Sequence, residues 1–207
     1  MSAHAEALAH DAHEHHGPPP ANRSSRIDPT ILGILLFIAS EAMLFGSFFA
    51  ALFFVRVVNP NAPAEWPPAP YEFPIFVAGV NTVILVTSSF TVHWATTAMR
   101  RNDRNGVKAG LLLTILLGTA FLLTQMVEYA HIGFNTGSGA FASTFFGLTG
   151  LHGAHVFIGL TLLAIAAVRL FRGHFSPEHH HGLEIPAIYW HFVDVMWIVV
   201  YVTVYLL

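Results

Sequence analysis

Five apolar stretches, near residues 30–58, 74–99, 107–132, 141–172 and 184–207, are each long enough to cross a bilayer, for which a helix needs about 20 mostly apolar residues. Backbone N–H and C=O groups find no partners in hydrocarbon, so each stretch must close its hydrogen bonds within itself as a helix. The expected fold is an all-α integral membrane protein: a bundle of five transmembrane helices over 30–207, behind a hydrophilic, disordered His- and Pro-rich tail over 1–29. Only 10% of residues are charged, well short of the roughly 25% usual in soluble domains. A formal net charge of −3 gives no reason to expect nucleic acid as a partner. With no cysteine, disulfides, zinc–thiolate sites, cysteine-held iron–sulfur clusters and thiol nucleophiles are excluded. Residues 1–30 lack the apolar core of a signal peptide, so the tail is expected to stay on the protein.

The connections carry helix-breaking chemistry. NPNAPAEWPPAPYEFP holds six prolines, RRNDRNG is charged, GFNTGSG is a glycine loop, and GHFSPEHHHGLE is broken by Gly173 and Pro177. Basic residues of short loops stay on the cytoplasmic side. Arg23, Arg26, Arg100, Arg101, Arg104, Lys108, Arg169 and Arg172, eight of the nine basic residues, fall on one face. That places the N-terminus inside and the C-terminus outside. Arg56, the ninth, stands at the outer end of the first helix, where its stem can reach the interface. Trp66, Tyr71, Tyr189 and Trp190 stand where aromatic belts are expected.

Ionisable residues inside a span are costly and raise a functional hypothesis. Glu41, about ten residues into the first helix, sits ~15 Å deep at about 1.5 Å per residue. A carboxyl at that depth either carries a proton or pairs with a donor on a neighbouring helix. Asp194 and His191, three residues apart, share one side of the last helix, with Asp194 near the depth of Glu41. His152 and His155 share a face of the fourth helix, thinned by Gly150, Gly153 and Gly159 for close packing. Those histidines are either interhelical hydrogen-bonding groups or metal ligands. Glu128, near the outer end of the third helix, is expected to act as a cap or interface contact.

A histidine-box enzyme would use HGAH together with His179 to His181. Metal ligands must converge at about 2.0–2.1 Å, whereas the seventeen residues from His155 to Arg172 put the two clusters ~25 Å apart along the helix. The geometry fails unless that helix breaks midway. The histidines of the tail, His4, His10, His13, His15 and His16, can hold divalent metal or buffer protons, but such a tract is ordinarily just disordered.

Several long motifs occur in a recognisable order: FIASEAMLFGSFFAALF, TQMVEY, GAFASTFFGLTGLHGAHVFIG and YWHFVDVMWIVVYVTVYL. Through them residues 30–207 resemble subunit III of the heme-copper respiratory oxidases, typified by cytochrome c oxidase subunit III, in its short, five-helix bacterial form. The resemblance implies an accessory subunit of a proton-pumping cytochrome c or quinol oxidase in a bacterial plasma (inner) membrane. Such a subunit has no heme, copper or other metal of its own; heme and copper lie in partner subunits. It packs on catalytic subunit I, with subunit II and a small subunit IV in the same complex. It sustains proton uptake, protects against turnover inactivation and holds structural phospholipids in a cleft between helices. Glu41 matches the family's carbodiimide-reactive glutamate. His93, Glu128, His152, His155, His191 and Asp194 are expected as buried polar or lipid-cleft contacts, and no residue as catalytic. Two rivals remain: an accessory protein of nitric oxide reductase, and a stand-alone transporter, which would need polar groups lining a continuous path.

Overall fold

The computed structural model of the chain describes residues 29–59, 67, 73–173 and 181–207. The chain divides into two units, Met1–Gly33 and Ile34–Leu207. Of the first, the described part is 29–33, the opening of helix α1. The tail histidines, most of the Pro-rich connection with Trp66 and Tyr71, and His179 to His181 as ligands lie outside what is described.

Among the described residues, five helices are long and apolar enough to cross a membrane. They are α1 (Pro29–Phe53), α2 (Ile75–Arg100), α3 (Arg104–His131), α4 (Ala140–Phe171) and α5 (His181–Tyr201). Helices α1 and α5 each finish in a wider π-helical turn, Phe54–Val58 and Val202–Leu206. Helix α3 begins at Arg104 rather than near 107, because Asp103 caps it: its Oδ1 accepts the Gly106 N–H at 3.0 Å. The turn before it is closed by Asn102 at φ 57°, a left-handed conformation that asparagine tolerates.

Helices α2, α3, α4 and α5 pack as a ring, each against its sequence neighbour, and α5 returns to α2 to close it. Lipid offers no hydrophobic drive for this, so close packing between small residues carries the association. On α3 such residues recur every fourth position at Gly106, Gly110, Thr114 and Gly118. A Cβ on Gly110 would stand 2.9 Å from the Thr91 carbonyl oxygen of α2, and the Thr91 and Thr114 hydroxyls share a hydrogen bond of 2.7 Å.

Tyr189 and Trp190 do not form an interface belt: both are buried in the core. Trp190 lies between α3 and α4, against Gly118 and Gly159, and its Nε1–H donates to Ser88 Oγ at 2.9 Å. Of the three α4 glycines expected to admit close neighbours, only Gly159 does so. Nothing comes nearer than 4.0 Å to a Cβ on Gly150 or 3.9 Å to one on Gly153. From Ile34 on, helix α1 meets the ring through side chains, with Phe45 and Leu52 its buried residues. Arg56, near its end, donates from Nη1 to the Thr203 carbonyl of the last helix at 3.3 Å.

Candidate functional site: polar groups inside the helix bundle

His155 and Glu41 join α4 to α1, with Nε2 and Oε2 2.9 Å apart. The other ring nitrogen, Nδ1, lies 2.8 Å from the Leu151 carbonyl oxygen. A carbonyl only accepts, so Nδ1 carries a hydrogen. The Nε2 to Oε2 contact then holds one proton, as imidazolium with carboxylate or as imidazole with carboxylic acid. Phe45 roofs the pair, its ring 4.9 Å from that of His155. Glu41 keeps 18% of its side-chain surface, whereas Glu128 is 6% exposed and Asp194 3%. Of these three carboxyls, Glu41 is therefore the least buried.

His152 turns away from its neighbour. It lies against Phe121 and Trp197 inside the ring, at centroid distances of 5.7 and 4.8 Å. The i, i+3 spacing thus divides these two histidines between partners instead of joining them. Among the described residues, no group of three or more His, Cys, Asp and Glu side chains is arranged to hold a metal ion.

On α5 the side shared by His191 and Asp194 meets a residue that the sequence did not single out. The Ser89 hydroxyl of α2 shares a hydrogen bond of 2.6 Å with His191 Nδ1 and lies beside Asp194. His93 is exposed on α2, facing outward from the ring, and of the two roles expected of it, buried polar group or lipid-cleft contact, this position is compatible only with the second. Its ring stands 6.5 Å from that of His191. Both line a cavity of about 310 Å³ that reaches Arg100 and Glu184, themselves paired at 3.2 Å.

Glu128 is neither a cap nor an interface contact. It points into the bundle, where Tyr205, in the last turn of the chain, donates to its Oε1 across the ring at 2.7 Å, a contact made possible by the return of α5 to α2. A second cavity, of about 390 Å³, is lined by Glu128, His131, Phe73 and Val77. Besides Ser89, sequence reasoning missed Tyr205, Asn81 and Gln125. An amide inside an apolar helix is a legible signal for the last two.

These features agree with an accessory membrane subunit built on interhelical polar contacts, and the comparisons with known proteins say of which kind. The family described as Cytochrome c oxidase subunit III matches residues 25–207. A protein of Thermostichus vulcanus called cytochrome c oxidase subunit 3 is 38% identical over 181 residues, 87% of this chain and 88% of that protein. Proteins of the same name from Synechocystis sp. and Homo sapiens are each 40% identical, over 95% and 92% of this chain and 80% and 72% of theirs. The chain belongs to the cytochrome c oxidase subunit III family. It is a multi-pass membrane protein and an accessory subunit of a heme-copper oxidase.

Proposed function

We propose that the chain serves its oxidase without redox chemistry of its own, sustaining proton uptake by catalytic subunit I, prolonging that subunit's working life and binding phospholipid. Heme and copper belong to the partners, among which subunit I is the direct neighbour and subunits II and IV complete the complex. The membrane is the bacterial plasma membrane, with the tail inside and the C-terminus outside, on the grounds of the basic residues that crowd one face.

The observation that carries this reading is the Glu41–His155 pair, one exchangeable proton held between α1 and α4 within the span. A proton held there can be passed on without a metal or a water-filled pore. Lipid binding is supported by α1, which leaves Leu36, Met43 and Phe54 exposed along its length. A hydrophobic carbodiimide tests the central pair, since the reagent partitions into lipid and reacts with protonated carboxyls. In the purified complex it is expected to modify Glu41 ahead of Glu128 and Asp194, as mapped by peptide mass spectrometry. Modification confined to Asp194 or Glu128 would refute the role assigned to Glu41.

A further inference from the structure

Eight buried side-chain atoms have no regular hydrogen bond among the described residues: Oδ1 of Asn81, both amide atoms of Gln125, Oε2 of Glu128, both ring nitrogens of His152 and both carboxylate oxygens of Asp194. All five residues are at least nine-tenths buried. They come from all four helices of the ring, and they are not scattered. Asn81 Nδ2 donates to the Phe121 carbonyl at 3.3 Å, and the Phe121 ring meets both His152 and Trp197. Trp197 Nε1–H in turn reaches Thr82 Oγ1 at 2.9 Å. Residues of α2, α3, α4 and α5 therefore share one level. One helical turn along α5 to one side lies Asp194, with Ser89 beside it. One turn along α3 to the other side lies Gln125, beside the Tyr205 hydroxyl that bonds Glu128. Beyond Glu128 the row opens on the cavity lined by His131.

A buried polar group without a partner is destabilising, and Ser89 beside Asp194 and Tyr205 beside Gln125 meet only part of the need here. An internal water makes about three hydrogen bonds, and polar sites of this kind retain one. We propose that α2–α5 enclose a hydrated site, in which a short file of ordered water bridges Asp194, His152, Asn81, Gln125 and Glu128. Water both donates and accepts, so the file also joins the two carboxyls into one proton-exchanging network that opens beside Glu128. This site is separate from the Glu41–His155 pair and stands whether or not that pair supports proton uptake.

Hydroxyl radicals generated from water by a brief X-ray pulse oxidise side chains that touch bound water. Phe121 and Phe145 are the same residue type and both fully buried, but Phe121 meets His152 directly, whereas Phe145 sits among Phe73, Phe134 and Phe146 and meets the row only at the ring of Tyr205, 6.0 Å away. With the full chain in membranes, Phe121 is expected to be oxidised several-fold faster than Phe145. His152→Leu, and separately Gln125→Leu, should bring Phe121 down towards the rate of Phe145. Equal rates for the two phenylalanines in the unaltered protein would overturn the proposal without reliance on any variant. A fast Phe121 rate that survives both substitutions would overturn it too, because the water would then not be held by these groups.

Discussion

At the residue scale, the place of Glu41 inside an apolar helix is legible in the sequence and its partner is not. Counting from the start of the helix shows a carboxyl far from water, and the physics then demands a proton or a donor. Nothing in the spacing of His152 and His155 reveals that one faces α1 and the other the interior, because residues three apart are about 60° apart around the helix, near enough to share a face and far enough to meet different neighbours. The pair is a unit, and truncating one member leaves the other without its partner. Glu41→Leu alone is expected to lower stability by about 1 kcal/mol, in line with polar contacts between membrane helices. The double change Glu41→Leu with His155→Phe should recover part of that loss, read as thermal unfolding in mild detergent. A double variant as unstable as the sum of the two single ones would mean that the contact carries no coupling.

Among the elements, the five spans could be read directly, since length and apolar content alone specify them. Their mutual packing was read less well. The glycines of α4 cluster around two histidines and so invite a close-packing reading, whereas the repeat on α3, small residues every fourth position through Gly118, carries no such marker. It is that stripe which admits the neighbours of α3, Thr91 of α2 and Trp190 of α5. The placement of Trp190 and Tyr189 in an aromatic belt failed for the same reason, since a notch on a partner helix cannot be seen from the helix that fills it. A Cβ on Gly118 would stand 2.5 Å from the Trp190 ring, so Gly118→Ala is expected to cost about 1–3 kcal/mol through overpacking. Gly150→Ala, with 4.0 Å of clearance, should leave thermal unfolding unchanged. Equal unfolding temperatures for the two variants would contradict this packing.

For the whole molecule, family membership rests on motifs that run nearly the length of the chain, and the comparisons cover the same span. That carboxyl and imidazole groups lie inside apolar helices is legible in the sequence. The internal row ending at Glu128 is not, because it depends on how α2 and α5 close the ring. The proposed orientation rests on charge alone: a reporter fused after Leu207 should signal the outer compartment, and a cytoplasmic signal there would reverse the topology. The accessory role is tested most directly by removing this chain from the purified oxidase and following the remaining core through repeated turnovers across a range of pH. The expected result is a core that keeps its heme spectrum, loses activity sooner, and falls further behind the intact enzyme as protons become scarce at high pH, with the lifetime restored on adding back the chain and lipid. An unchanged lifetime and pH profile in the depleted core would contradict the proposed role in proton uptake and protection.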